Sequence, residues 1–178
     1  MTDKRALRAR MRAIRDAHDR GGPLPLPAAF LAMLRGAGTI AGYMPVGAEA
    51  DPAPFMHAAR AAGLALALPH VIDRPTPLRF LGWDGTAPLA TGPFGLLQPP
   101  ADAPAAVPDI ILTPLVAFDA RGNRLGQGAG HYDRAFAQFP TARRIGIAWS
   151  VQQVEALVPD PWDVPLHAIA TELDWIVP

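Results

Sequence analysis

The chain has 178 residues, half of them hydrophobic, and its sixteen basic and sixteen acidic residues cancel. That length and apolar content suffice for one ordinary domain with a buried core, which excludes a disordered tail or a disulfide-stapled scaffold. Zero net charge argues against a general binder of nucleic acid or anionic membrane, and the absence of cysteine removes disulfides, thiolate metal sites and cysteine nucleophiles together.

Residues 2 to 19 read as a helix, with Thr2 as its cap and Leu7, Met11 and Ile14 at helical spacing. At about 100° per residue, Lys4, Arg8, Arg12 and Arg15 fall on an adjacent stripe. That stripe is either a solvated face or a set of cations reaching a polyphosphate, since arginine makes forked bonds to phosphate oxygens. Pro23, Pro25 and Pro27 separate this helix from a short one at Ala28 to Arg35. Thr39 to Met44 reads as a buried strand. Asp51 then caps a helix that opens on Pro52, turns Phe55, Met56 and Ala59 inward and ends at Gly63. Glu49, just before this cap, has no evident structural role and is a ligand-binding candidate.

Leu64 to Leu68 is a second buried strand. The Pro- and Gly-dense middle, Pro75 to Pro108, reads as loops with a short strand near Leu78 to Trp83. Ile110 to Pro114 is a continuous apolar strand. The glycine-rich stretch Gly122 to Gly130 leads into a helix from His131 to Phe139, and Arg144 to Trp149 is the next strand. Ser150 and Gln153 stand at capping-box spacing. Ile169 to Thr171 and Trp175 to Val177 end the chain as short strands.

Continuous apolar strands alternating with helices predict an α/β fold: a single three-layer αβα domain over residues 1–178, with a mostly parallel sheet and a basic N-terminal helix at 1–20. Ligands of such sheets bind beyond the carboxyl ends of the strands, where the loops after Met44, Pro114 and Trp149 fall. The most apolar run, Ala61 to Leu68, is too short to span a bilayer, and the charged N-terminus has no apolar signal core. The expectation is a soluble cytoplasmic protein.

Chemistry concentrates at Arg124-Leu-Gly-Gln-Gly-Ala-Gly-His-Tyr-Asp-Arg134. Gly126, Gly128 and Gly130 allow positive φ and close backbone approach, and the helix start behind them offers free amides to an anion such as phosphate. The spacing fits neither a Walker loop nor a dinucleotide fingerprint, so a plain surface turn stays open as the other reading. Asp133 lies in the first helical turn, either as a dipole-compensating carboxylate or as a Mg²⁺ ligand beside phosphates. The five histidines show no zinc spacing; His131 alone sits at the glycine loop. The lone serine, Ser150, lies outside any Gly-x-Ser-x-Gly context, which argues against a serine-triad hydrolase.

The stretch Ile110 to Arg134 resembles the signature of the 5-formyltetrahydrofolate cyclo-ligase family, also called methenyltetrahydrofolate synthetases. The resemblance extends to the Lys4…Arg8 helix, Glu49-Ala-Asp51, Gly92-Pro-Phe-Gly-Leu-Leu-Gln-Pro99 and Gln152…Trp162-Asp163…Thr171, in order. It implies conversion of 5-formyltetrahydrofolate to 5,10-methenyltetrahydrofolate with ATP as co-substrate and Mg²⁺ as cofactor. By position it implies Lys4 and Arg8 on ATP phosphates, and Arg124, Leu125 and Gly126-Gln127-Gly128-Ala129-Gly130-His131-Tyr132 around the nucleotide. Met44, Glu49, Gln127 and His131 would contact the folate, Glu49 at its pterin. Asp133 and Asp163 would serve Mg²⁺, and Arg124, His131 and Tyr132 would be the catalytic groups. The partners implied are these small molecules, with no nucleic acid and no membrane, on a monomer or weak dimer.

The sequence departs from the family pattern at Gln127 (an aromatic there), Ala129 (glycine), His131 (tyrosine), Leu115 (the glycine of Pro-Gly) and Gln98 (the glutamate of Glu-Pro). These departures motivate an alternative, a folate- or nucleotide-binding regulator of the same fold without turnover. A third reading is an RNA-associated protein that uses the N-terminal arginines, which the neutral total charge disfavours.

Overall fold

The computed structural model describes residues 3–178, so the expected cap at Thr2 lies outside the described residues. Elements in chain order are α1 (Lys4–Ala17), α2 (Ala28–Met33), β1 (Thr39–Ala41), α3 (Ala53–Ala61), β2 (Ala65–His70), β3 (Arg79–Trp83), β4 (Ala90–Thr91), β5 (Leu97–Gln98), β6 (Ile110–Pro114), β7 (Ala117–Phe118), β8 (Arg124–Leu125), α4 (His131–Gln138), β9 (Arg143–Ile147), β10 (Ala168–Ala170) and β11 (Trp175–Ile176). Seven strands form one sheet in the order β11-β10-β9-β6-β1-β2-β3. The five central strands are parallel, while β3 and β11 add antiparallel edges.

The apolar runs bury both faces by alternation. Ile40, Leu66, Leu68, Ile110, Leu112, Ile145 and Ile147 pack on one side with Phe30 of α2 and Phe55 of α3. Ala41, Ala67, Ile111 and Ile169 pack on the other with Ala135 and Phe136 of α4. Helix α1 lies over a third, small cluster of Met11, Val116, Ala117 and Leu125. No helix among the described residues is long and apolar enough to cross a membrane.

Strand β1 connects to β2 on one side, whereas β6 connects to β9 on the other. The direction of winding therefore reverses between β1 and β6. At such a switch point the two following loops diverge and leave a crevice at the carboxyl edge.

Several local expectations need correction. Asp3 caps α1, its carboxylate accepting from Arg5 N at 2.8 Å. Ile14 is not an inward residue of that helix: it is 41% exposed, and Arg15 takes the buried position at 6%. Strand β1 ends at Ala41, three residues short of Met44. The cap position of α3 is Pro52, not Asp51, and the helix opens at Ala53; Asp51 stands one residue earlier and accepts from Ala53 N at 2.9 Å. The Ser150–Gln153 capping box does not form. Glu172 takes both the amide and the hydroxyl of Ser150, and Gln152 instead accepts from Trp149 N at 2.8 Å. The proline-dense middle contains two pairings the sequence did not suggest, β4 with β5 and an isolated antiparallel bridge between Leu81 and Ala105.

The β7–β8 hairpin aims the glycine-rich segment at the crevice, and Asp119 holds it. Its fully buried carboxylate accepts from Arg121 N and Asn123 N at 3.0 Å and from Asn123 Nδ2 and Leu157 N at 2.9 Å. Burial alone would raise its pKa, but these bonds outweigh burial and hold it below the ordinary value. A lowered folded-state pKa gives stability that is present above about pH 4 and is lost as pH falls through the folded value. In Asp119→Asn one acceptor becomes a donor facing other donors. The variant is expected to lose about 2–3 kcal/mol at pH 7 in urea denaturation, with the gap to wild type narrowing as pH falls through the lowered folded value.

Candidate active site

A cavity of about 730 Å³ opens at the switch point. Every residue expected at the site lines it: Lys4 and Arg8 from α1, Met44 and Glu49 after β1, Arg124 and Leu125 of β8, Gly126 to Tyr132, then Asp133 and Asp163. The loop after Trp149 does not line it, and its 3-10 turn at Ser150–Gln152 is held by Glu172 and by the carbonyls of Leu115 and Val116.

The basic stripe of α1 faces inward. Lys4 Nζ donates to Asp160 Oδ2 at 2.6 Å and to Asp163 Oδ2 at 3.4 Å. Arg8 Nε donates to Gly126 O at 2.8 Å, and Arg12 donates to Gln127 Oε1 from Nε at 3.0 Å. Arg15 is buried near Glu49. Burial alone would lower the Lys4 pKa, yet Asp160 and Asp163 outweigh it and raise the ammonium above its ordinary value.

Within the loop, positive φ falls on Gly128 (101°) and Gly130 (68°), and not on Ala129. The alanine that departs from the family pattern therefore occupies backbone that any residue tolerates. Both glycines need their left-handed φ, and Gly130 has the tighter space: a Cβ there would stand 3.1 Å from Arg134 Nη1, whereas one at Gly128 would make only ordinary contact, 3.5 Å, with the Arg8 guanidinium. Gly130 ends the loop as the cap of α4 and supplies no side-chain acceptor to the helix. The first amides of α4 thus stay open to an anion at the cavity.

Arg124 is the best-fixed cation. Its guanidinium bonds Val164 O and Asp133 Oδ1 and stacks 4.5 Å from the Phe136 ring centroid. Asp133 Oδ2 takes no donor among the described residues. Glu49, expected to be free of structural duty, is not: Oε2 accepts from Val46 N at 3.0 Å, and Oε1 accepts from Gln127 Nε2 at 3.3 Å. Gln127, which lines the cavity, so joins Glu49 to Arg12. Gln98, another departure, answers both polar groups of Val71, amide at 3.0 Å and carbonyl at 3.2 Å, which a carboxylate could not do.

Three further residues of the cavity were given no role by the sequence. Asp160 joins Asp163 at Lys4; its only signal is proximity in Pro-Asp-Pro-Trp-Asp. Phe94, 65% exposed with φ of 62°, reaches the cavity from a strained 3-10 turn. Trp162, 69% exposed, stands at the same cavity beside Asp163. Among the described residues no group of three or more His, Cys, Asp or Glu is arranged to hold a metal ion. A divalent ion here would need oxygens from a ligand or from water, the usual habit of Mg²⁺.

His131 Nδ1 lies 3.1 Å from Arg134, which leaves Nε2 buried and without a partner among the described residues. Burial first, then Arg134 and Arg74, lowers its pKa. The ring is thus neutral at pH 7. Its contribution to stability is full above about pH 6.5 and is lost as pH falls through the folded value. An NMR titration is expected to place His131 below about 6.5. Arg134→Met should move it upward without restoring the ordinary value, since burial persists.

The 5-formyltetrahydrofolate cyclo-ligase family model matches residues 1–172. The 5-formyltetrahydrofolate cyclo-ligase of Escherichia coli strain K12 is 34% identical over 141 residues, which cover 75% of this chain and 77% of that one. The cyclo-ligase of Haemophilus influenzae is 42% identical over 98 residues, and this chain spans about half, 52%, of that relative's length. The solved structure of Aquifex aeolicus 5,10-methenyltetrahydrofolate synthetase superposes with a TM-score of 0.77 at 27% identity, covering 98% of this chain and 92% of that one.

Proposed function

The chain belongs to the 5-formyltetrahydrofolate cyclo-ligase family, and from that premise we propose that it converts 5-formyltetrahydrofolate to 5,10-methenyltetrahydrofolate with ATP. The observation that carries the reading is the convergence, in one cavity at the sheet's switch point, of an inward cationic helix face, an amide-lined glycine loop and two sets of carboxylates.

A formyl oxygen leaves poorly until it is phosphorylated. Transfer of the γ-phosphoryl group of ATP to that oxygen gives ADP and an activated carbon. N10 attacks this carbon, inorganic phosphate departs with the former formyl oxygen, and N10 gives up its proton as the ring closes. Such chemistry asks a protein for positioning and charge neutralisation more than for a nucleophile. A chain without cysteine and with one serine loses nothing by that.

Lys4 and Arg8 are assigned to the phosphates, as are the amides from Gly126 to Tyr132. Arg124, stacked and doubly bonded, would hold its charge fixed beside the transferring group. His131, neutral and with Nε2 unpartnered, has a donor to offer the folate or the activated oxygen. Tyr132 stays protonated, its pKa raised by burial and by Glu49, so its role is as a hydroxyl. Met44, Glu49 and Gln127 are assigned to the folate side. Asp133 and Asp163 would hold Mg²⁺, an oxygen-only donor set that suits a hard cation. When bound, that ion would neutralise phosphate charge.

Purified protein with ATP, Mg²⁺ and 5-formyltetrahydrofolate is expected to yield methenyl product absorbance and ADP in equal amounts. Binding of both substrates without product would return the chain to the regulator reading. Asp133→Asn keeps an acceptor for Arg124 but loses the charge, and is expected to lower kcat/KM on the order of 100-fold with an unchanged circular dichroism spectrum. Lys4→Ala should raise KM for ATP about tenfold, the loss of one charge-assisted bond, and leave KM for the folate within about twofold. An unchanged ATP dependence would release α1 from the phosphate role.

A further inference from the structure

The reaction as proposed leaves Arg15 without a task. Its side chain is only 7% exposed, yet it lines the cavity. It makes no hydrogen bond to any described residue, and Nε and one terminal nitrogen are buried without a partner. The carboxylates nearby, Asp16 at 3.5 Å from Nε and Glu49 at 3.8 Å from that terminal nitrogen, stand at ion-pair range without forming a bond. A guanidinium carries five N–H donors, and burying them unmet is unfavourable unless an acceptor arrives. Helical spacing alone offered Ile14 for inward burial, and the fold buries Arg15 instead.

The acceptor's chemistry follows from the surroundings. Arg15 lies eleven residues beyond Lys4 on α1, about 16 Å along the axis, so one phosphate group cannot serve both. Glu49 sits beside it, and a second anion there would be repelled. A neutral acceptor flanked by a donor fits both groups. Glu49 already accepts from Val46 N and Gln127, but a carboxylate has about four lone-pair sites and can take another donor. Resting on the cyclo-ligase reading, which already assigns Glu49 to the pterin, we infer that Arg15 joins it at the amide edge of that ring, donating to the ring carbonyl while Glu49 accepts from the adjacent ring N–H. Arg15 is then a specificity-determining residue that selects an oxygen at that ring carbon over an amine.

The test compares two probes by calorimetry, 5-formyltetrahydrofolate and its 2,4-diamino analogue, in which an amine replaces the carbonyl. Wild type should prefer the carbonyl form. Arg15→Met should bind 5-formyltetrahydrofolate at least about tenfold more weakly and should lose the preference. Its ligand-free Tm should equal or exceed that of wild type, because an apolar chain replaces a buried guanidinium whose Nε and one terminal nitrogen have no hydrogen-bond partner. Arg15→Lys keeps the charge but not the planar fork, and should show a reduced preference even if the methionine variant fails to fold. A probe ratio unchanged in the variants, or a lowered Tm with unchanged affinity, would overturn the inference and leave Arg15 a structural residue. Wild type that binds neither probe would overturn the inference and the cyclo-ligase reading together, a result distinguishable from an unchanged ratio.

Discussion

The site depends on one latch, the basic face of α1 closed over the glycine loop. Arg8 bonds the carbonyl of Gly126, and Arg12 grips the side chain of Gln127. Without these bonds, the segment from Gly126 to Gly130 would be a flexible chain of alternating glycines with high conformational entropy. The latch fixes where the loop's amides point. It also turns a charged helix, which by composition could have been solvated, into one wall of a cavity.

The sheet makes the latch effective. Reversal of winding between β1 and β6 opens a crevice, and the short β7–β8 hairpin, pinned by Asp119, brings Arg124 and the loop back across it. Burial is bought elsewhere, by aliphatic strands packed on both faces. The parallel core is thus apolar on both faces, and the site's polar chemistry gathers at its carboxyl edge.

Much of this was legible in the sequence, and the limits are physical. Ile110 to Pro114 declared itself because a strand covered on both faces must be apolar throughout. The glycine loop declared itself because positive φ before a helix leaves few other residues usable. Arg15 was legible as a stripe cation but not as a buried one, because amphipathic spacing assumes that apolar side chains turn inward, and here the inward position serves a cavity and not the core. The Ser150–Gln153 box failed because Glu172, distant in sequence, outcompeted the local partner. Glu49 looked free of structural work since its turn bond to Val46 depends on a backbone path that no spacing rule fixes. Ala129 looked disruptive only while the glycine carrying positive φ was unknown.

Charge arithmetic closes the argument. The chain is neutral as a whole, and its site balances locally: Lys4 against Asp160 and Asp163, Arg124 against Asp133. A polyphosphate that takes Lys4 from its carboxylates leaves those carboxylates in need of a cation. In the proposed reaction, that exchange explains why a neutral protein would take its nucleotide together with a divalent ion and not alone. Arg15 stands apart in this balance, since Asp16 and Glu49 lie within ion-pair range of it and neither hydrogen-bonds it. A guanidinium that its carboxylate neighbours do not hydrogen-bond keeps donors free for a neutral oxygen, and so the helix proposed to meet the phosphates at its first turn would meet an uncharged heterocycle near its last.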